Sequence, residues 1–353
     1  MGLFKKKDLI GLDIGTDSLK LAQLKKNSKG YELVKAGLKP LPPGAISEDE
    51  ISDKQTVVES IKQLVREQKI AIKNVATSVS GRSVIIKRIK LPVMNEKELA
   101  ESIFYEAEQY IPFDISDVNL DFQIMTNAQQ KSEGEMDVLL VAVKKERIQE
   151  VVSIITQAGL NPAVIDIDVF ALENQFDINN SQDTGSYMVL LDIGADTMNM
   201  NILWEGGTVF TRDASLGGNS YTKILQTSLN LDYDQARRLN QGENVEGVTK
   251  DQVLALRESF YEEIFSEIQR SFDYFHATAD NAPITKILLS GGTSKADGID
   301  QALSQRFELE VERVNPFQKI QINPKQFDTN WLTAVAPMMT VAVGLALRRM
   351  DDR

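Results

Sequence analysis

The sequence predicts an α/β protein built from two similar halves, with a smaller α+β unit inserted in the first half. The main observation is a repeated motif: DIGTDS at residues 13–18 ends one apolar strand, and DIGADT at residues 192–197 ends another. The length of 353 residues is also more than one hydrophobic core commonly serves. We therefore expect each half to begin with a related β-hairpin.

The first half begins with a predicted β-β-β-α-β order. Its elements are expected at residues 9–14, 19–24, 31–38, 53–70 and 75–79. The helix is predicted because Val57, Ile61 and Leu64 recur at helical spacing. The first two strands are joined by the short polar turn of the repeated motif.

The residues from 82 to 161 are predicted to form the inserted α+β unit. Its elements are expected at residues 82–92, 96–111, 118–125, 136–144 and 145–160. Asn95 and Glu98 indicate a capping box at the start of the first helix, and Pro112 is expected to end it. The two later strands, joined by a polar loop at residues 126–135, are typical of a hairpin.

The second half, residues 188–329, repeats the opening design and adds helices. Three strands, a helical subdomain at about 228–280 and a strand-turn-helix unit near 284–307 are expected there. Aromatic residues at helical spacing between 250 and 277 indicate core packing. The first half is completed by residues 1–81, 162–187 and 330–353.

The apolar run near the C-terminus is predicted to be a buried helix. It contains Pro337 and small residues, and its apolar core is shorter than the roughly 20 residues that a membrane span requires. A net charge of -12 argues against general nucleic-acid binding, which depends on clustered cations. No cysteine is present, which excludes disulfides and thiolate metal sites.

The two turns have the composition of a phosphate site. Backbone N–H groups can line a concave turn only where side chains are small, and such nests bind phosphate oxygens. Asp13 and Asp192 would then approach one polyphosphate from opposite halves, and their charges would repel it unless Mg²⁺ lay between them. Lys20 would supply a compensating positive charge.

These motifs resemble those of the actin, sugar-kinase and DnaK-type chaperone superfamily. The segments DIGTDSLK and DIGADT resemble its two phosphate motifs, LLSGGTSKADG its adenosine motif, and VIDIDVFAL its first connecting helix. The inserted unit and the segment VGLALRR are most similar to the PilM family of type IV pilus assembly, in the FtsA-like branch. The resemblance implies a duplicated actin-like ATPase fold with ribonuclease H-like halves and an FtsA/PilM-type inserted subdomain.

The resemblance also implies a set of site residues. Those assigned to the nucleotide are Gly15, Thr16, Asp17, Ser18, Lys20, Gly194, Asp196, Thr197, Gly218, Gly291, Gly292 and Ser294. Asp13 and Asp192 would bind Mg²⁺ largely through water, and Asp168 would position an attacking water. The chain departs from the family where Arg237 and Asn240 replace a glutamate and a lysine, which leaves open how the adenosine is held.

The function implied is an ATP-binding cytoplasmic scaffold at the inner face of the cytoplasmic membrane, with slow or absent hydrolysis. Its partner would be the N-terminal cytoplasmic peptide of PilN, bound between the core and the insertion, and self-association is left open. The alternatives are an FtsA-like division filament and a small-molecule kinase.

A basic strand in the insertion is a candidate for the partner surface. Its cations are Arg82, Lys87, Arg88 and Lys90, in a chain that is acidic overall. The cluster could equally be a solvated strand edge that is protected against aggregation. The sequence leaves both interpretations open.

Overall fold

The computed structural model describes residues 9–47, 50–125, 134–180, 185–277 and 282–350. Its strands are β1 (Ile10–Ile14), β2 (Ser18–Asn27), β3 (Gly30–Pro40), β4 (Asn74–Val79), β5 (Val84–Pro92), β6 (Val118–Ile124), β7 (Glu135–Lys144), β8 (Asn161–Ile167), β9 (Tyr187–Ile193), β10 (Met198–Trp204), β11 (Gly207–Ala214), β12 (Ile284–Ser290), β13 (Glu310–Arg313) and β14 (Ile320–Gln321). The polar loop predicted at 126–135 lies, except for its last two residues, outside the described residues.

The helices follow the predicted order closely. They are α1 (Lys54–Glu67), α2 (Glu96–Ala107), α3 (Lys145–Gln157), α4 (Asp168–Asn179), α5 (Gly218–Leu229), α6 (Tyr233–Asn240), α7 (Lys250–His276), α8 (Ile299–Phe307), α9 (Thr329–Val335) and α10 (Thr340–Leu347). The Asn95–Glu98 capping box is present, but α2 ends at Ala107, four residues before the predicted end. The segment expected to form the first connecting helix begins as strand β8, and the helix starts only at Asp168.

The sheet topology confirms the predicted duplication. The first sheet has the order β14-β3-β2-β1-β4-β8 and the second has the order β11-β10-β9-β12-β13. In each, an antiparallel hairpin (β1–β2 or β9–β10) is followed in the sheet by a parallel strand, β4 or β12. Strands β13 and β14, which the sequence pattern did not predict, extend the two sheets at their edges.

The inserted unit has its own small core. Sheet β5-β7-β6 packs one face against α2, and Ile89, Leu99, Ile103 and Leu140 are buried between them. Helix α3 behaves differently, because its buried residues join the core of the first sheet. We therefore propose that the insertion ends near residue 144, whereas the sequence pattern suggested 161. Strand β14 also pairs with β3, so we place the return to the first half near residue 320.

The long helix α7 packs as predicted. Phe260, Ile264, Phe265, Ile268 and Phe272 form one buried stripe in the core of the second half. The aromatic residues are therefore packing residues.

The apolar C-terminal stretch is also a core element, as predicted. Among the described residues, Thr329–Leu347 is the one helical stretch whose length and composition would suit a membrane span, and 67% of its most apolar window is buried in the protein. It is interrupted by a 3₁₀ turn at Ala336–Met339, which contains Pro337. Its buried residues pack against β2 and β3 of the first sheet.

Helix α10 crosses α4 so closely that no side chain fits between the two backbones. A Cβ atom at Gly344 would lie 1.8 Å from the carbonyl oxygen of Ala171. On the other side of α10, a Cβ atom at Gly11 of β1 would lie 2.1 Å from the carbonyl oxygen of Ala342. The helix is thus fixed between α4 and the first sheet by direct backbone contact.

A buried polar contact ties α4 to the second sheet. The Thr208 hydroxyl donates a hydrogen bond to the Glu173 carboxyl of α4. The Asn201 amide donates to the Val169 carbonyl at 3.1 Å and to the Thr208 hydroxyl at 2.9 Å. The pKa of Glu173 is raised to about 7 because burial outweighs the opposing effect of the hydrogen bond from Thr208. The two halves therefore meet along α4.

We expect Gly344→Ala to destabilise the protein, because the added methyl group must displace the α4 backbone. Overpacking of this kind costs about 1–3 kcal/mol in the free energy of unfolding, which chemical denaturation would measure. Gly207→Ala is the matched control, since its Cβ atom would meet the Trp204 carbonyl at an ordinary 3.8 Å. Equal stability of the two variants would contradict the close-contact explanation.

Candidate functional site

The two repeated turns lie near each other where the two halves meet, and we call the space between them the cleft. The first turn follows Asp13 at the end of β1, and the second follows Asp192 at the end of β9. Arg237 of the second half reaches Asp17 in the first turn, with 3.1 Å between Nη2 and Oδ1. The charges of Lys20 and Asp192 also influence each other from opposite halves.

Asp13 and Lys20 form an ion pair at the base of the first turn. They are direct partners in the β1–β2 register, their Oδ2 and Nζ atoms are 3.2 Å apart, and each side chain is 14% exposed. Burial raises the pKa of Asp13, Lys20 opposes that rise and Asp168 adds to it. Burial alone would lower the pKa of Lys20, but Asp13, Asp192 and Asp17 outweigh it and the pKa is raised. Lys20 therefore carries its charge among carboxylates.

Two further carboxylates are each held by a serine hydroxyl. Ser290 Oγ donates to Asp192 Oδ1 at 2.7 Å, and Ser78 Oγ donates to Asp168 Oδ1 at 2.5 Å. Burial raises the pKa of Asp192 to about 6; the Ser290 hydrogen bond opposes the rise, and Asp168 and Asp13 add to it. Asp13 and Asp192 thus lie near Lys20, and Asp168 lies near both of these carboxylates.

The second turn is fixed by its own hydrogen bonds. The Gly194 amide donates to the Thr197 carbonyl at 2.8 Å, and the Gly218 amide donates to the Gly194 carbonyl at 3.1 Å. Asp196 accepts a hydrogen bond from the Asn219 amide at 2.7 Å. The start of α5 is therefore attached directly to the turn.

The predicted adenosine motif forms a glycine turn whose conformation requires glycine. Gly291 has φ +87°, and a Cβ atom there would lie 2.3 Å from the Ile193 carbonyl oxygen. Ser294 is fully buried and donates to the Gly291 carbonyl at 2.6 Å. Ser294 therefore supports the turn from within, and the neighbouring Gly292 is exposed.

The two residues that depart from the family pattern have defined contacts. Arg237 pairs with Asp17, as described above, and Asn240 donates to the Gly218 carbonyl at 3.1 Å and to the Thr222 hydroxyl at 2.9 Å. Asn240 thus links α6 to the start of α5. Each of the two side chains therefore makes a polar contact in the fold.

The structure brings some of the predicted residues together and separates others. Asp13, Lys20, Asp168 and Asp192 converge, whereas Ser18 is only 2% exposed and lies beneath the first turn. Gly15 and Thr16 remain partly exposed in that turn.

Sequence reasoning missed several supporting residues. Ser78 and Ser290 orient two carboxylates, and the Thr293 hydroxyl donates to the Gly194 carbonyl at 2.7 Å. Ser78 and Ser290 lie at or next to the last residue of apolar strands that run parallel to their neighbours. A polar residue at the carboxyl end of such a strand is the signal that would have identified them.

A second cleft, of about 260 Å³, lies between the start of the insertion and β11, and Thr197 of the second turn contributes to its wall. The Gly81 amide donates to Asp213 Oδ2 at 3.0 Å, and Arg82 Nη2 donates to Ser215 Oγ at 3.3 Å. Arg82 therefore joins the insertion to the second half.

The donor set suits a magnesium ion bound together with a polyphosphate. Among the described residues, no group of three or more acidic, histidine or cysteine side chains could hold a metal by itself. Mg²⁺ commonly takes one or two carboxylates and completes its octahedron with water and phosphate oxygens. Asp13 and Asp192 supply two desolvated carboxylates from opposite halves, and the raised pKa values of both mean that a cation there would stabilise their charged forms.

Comparison with known families gives one match over nearly the whole chain. Residues 11–350 match the family model described as type IV pilus assembly protein PilM. A solved structure of a PilM-PilN type IV pilus biogenesis complex matches with a TM-score of 0.86 and 28% sequence identity, covering 99% of this chain and 100% of that chain.

More distant structures share the fold. The ethanolamine utilization protein EutJ from Carboxydothermus hydrogenoformans matches with a TM-score of 0.55 and 13% identity over 96% of this chain and 89% of its own. MreB5 of Spiroplasma citri bound to ADP matches with a TM-score of 0.52 and 11% identity over 93% and 98%. The predicted actin-like fold is therefore confirmed.

We expect Asp192→Asn to stabilise the ligand-free protein above neutral pH. The pKa of Asp192 is raised from 3.8 to about 6, so folding favours the protonated carboxyl, and this stability is lost as pH rises through 6. The asparagine variant avoids that loss, which is worth up to about 3 kcal/mol at pH 8. Denaturation of both proteins at pH 4 and pH 8 would measure the difference, and a gain of equal size at both pH values would contradict the assignment.

Proposed function

The chain belongs to the family of the type IV pilus assembly protein PilM, and we propose that it is an ATP-binding, actin-like scaffold at the cytoplasmic face of the inner membrane. Its partner is the N-terminal cytoplasmic peptide of PilN, which also accounts for its membrane location. The observation that carries this proposal is the match over the whole chain, at a TM-score of 0.86, to a protein of the PilM-PilN complex. Family membership does not favour the FtsA-like filament or the kinase.

The nucleotide proposal rests on the geometry of the cleft. Two short turns face each other, Lys20 lies between carboxylates of both halves, and the glycine turn at Gly291 closes the second half of the site. The turns and Lys20 would hold the phosphates, and Asp13 and Asp192 would hold Mg²⁺ largely through water. A bound ion would supply charge neutralisation, and Asp168, which accepts a hydrogen bond from Ser78, would position an attacking water. We propose that ATP acts as a stabilising or switching ligand, with slow or absent hydrolysis.

The peptide proposal rests on the seam between the insertion and the first half. In β5, Ile85, Ile89 and Leu91 pack toward α2, whereas Val84 and Ile86 pack toward the first core. The alternation of a strand therefore gives the inserted sheet a second apolar face, directed at the first half.

Along this seam, five apolar side chains are only partly buried. Two strands of the insertion contribute Ile86 (β5) and Val141 (β7). The neighbouring elements contribute Ile148 (α3), Ile165 (β8) and Phe170 (α4). Partly covered apolar groups next to a core are suited to the side chains of an extended peptide. We define these five residues as the partner seam.

The basic strand contributes less than its sequence suggested. Arg82 is bound to the second half, and Arg88 Nε lies 3.0 Å from Oδ1 of the buried Asp137. In the part of the chain that the structure describes, no ion pair involves Lys87 or Lys90, which remain exposed. These two lysines are therefore the candidates for meeting acidic groups of the peptide.

We expect MgATP to raise the melting temperature of the protein. A ligand at one hundred times its Kd adds about 2.7 kcal/mol. Asp13→Ala and Lys20→Ala should each abolish the shift, because they remove the magnesium ligand and the phosphate cation. Thermal unfolding with and without MgATP would test this, and a full shift in both variants would exclude the assigned phosphate site.

We expect Ile148→Lys to weaken binding of the PilN N-terminal peptide at least tenfold. Burying one apolar side chain is worth about 1.5–3 kcal/mol, and tenfold in affinity corresponds to about 1.4 kcal/mol. Isothermal titration of the peptide into the full chain measures the effect.

Val65→Lys is the matched control for this experiment. Val65 is also a partly buried helix residue packed against the first core. Helix α1 approaches α3 at its other end, where Lys54 Nζ lies 3.0 Å from Glu150, and Val65 is about 16 Å further along the helix. If both variants weaken binding equally, the effect is one of stability and the seam is not the peptide site.

A further inference from the structure

The ion pair between Arg237 and Asp17 crosses the cleft at the first phosphate turn. Arg237 belongs to α6 of the second half, and Asp17 belongs to the β1–β2 turn of the first half, 220 positions away in sequence. Their Nη2 and Oδ1 atoms are 3.1 Å apart, and the two side chains are 26% and 42% exposed. The pair is therefore accessible to a ligand that enters the cleft.

The rest of α6 is held so that Arg237 points across the cleft. Ala236 and Leu239 are buried in the second core, and Asp232 caps the helix start. Asn240 binds the carbonyl of Gly218, whose own amide binds the Gly194 carbonyl of the second turn. The position of Arg237 is thus set by the same hydrogen bonds that build the second phosphate turn.

The charge of the first turn makes an arginine necessary. The resemblance assigned Asp17 to the nucleotide as part of the first turn, but its carboxylate would repel a polyphosphate that arrives there. In the ligand-free protein, Arg237 offsets this charge. The pair is partly open to water, so its attraction is screened and a ligand can compete for the arginine. Arginine is suited to phosphate because its planar donors can bind two oxygens at once.

We propose that Arg237 is a phosphate-binding residue of this chain: when a nucleotide binds, Arg237 exchanges its ion pair with Asp17 for contacts with the polyphosphate. This inference rests on the proposed ATP site. Under this proposal, the arginine that replaces the family glutamate binds the phosphates, and Asn240 is the residue that positions it.

Two substitutions that break the same ion pair distinguish this proposal from a purely structural contact. Arg237→Ala removes the phosphate ligand, so MgATP affinity should fall at least tenfold. Asp17→Asn removes the repulsion and releases Arg237, so MgATP affinity should rise several-fold. A contact that only held the halves together would change affinity in the same direction in both variants.

Isothermal titration of MgATP into the full-length variants tests the proposal, with adenosine as the second ligand. Arg238→Ala is the matched control. Arg238 is the next residue of α6 and pairs with Glu243 at 2.8 Å. The MgATP affinity of this variant should equal that of the wild type. Adenosine affinity should not respond to Arg237→Ala. Same-direction changes in MgATP affinity, or an equal loss for adenosine, would reject the role of Arg237, whereas a wild-type protein that binds no MgATP would also reject the nucleotide site itself.

Discussion

The contact between Gly344 of α10 and Ala171 of α4 sets the geometry on which the site depends. With no side chain between the backbones, the two helices cannot slide or tilt far without losing contact. Helix α10 also lies against β1 at Gly11, so the contact continues into the first sheet. Helix α4 in turn is bonded to the second sheet through Glu173 and Thr208. The relative positions of the two repeated turns follow from this chain of contacts.

The cleft concentrates negative charge that the protein alone does not balance. Asp13, Asp168 and Asp192 approach one another, and Lys20 is the cation that pairs with Asp13 at the centre. Burial and mutual repulsion raise the pKa of Asp192 to about 6. A site arranged in this way loses stability without a cation and gains it when one binds, which suits a ligand that stabilises or switches the scaffold.

One short helix start connects the two proposed sites. Asp168, the first residue of α4, lies at the cleft, where its carboxylate accepts a hydrogen bond from Ser78. Phe170, two residues later, lies in the partner seam beside the insertion. Glu173 then ties the same helix to the second half. Nucleotide and peptide would therefore contact the same helix. A movement of α4 would then change both the nucleotide site and the partner seam.

The sequence by itself determined the duplicated α/β organisation and the repeated Asp-Ile-Gly turn of each half, because these depend on local periodicity and on residues close in the chain. It did not show that α3 packs on the first core, on which we base our proposal that the insertion ends near residue 144, because only the packing reveals this contact. It also could not assign Arg237, Ser78 or Ser290. Arg237 meets Asp17 across 220 positions, Ser78 meets Asp168 across 90 and Ser290 meets Asp192 across 98. Such contacts form only when the halves are brought together, so the tertiary structure alone decided them.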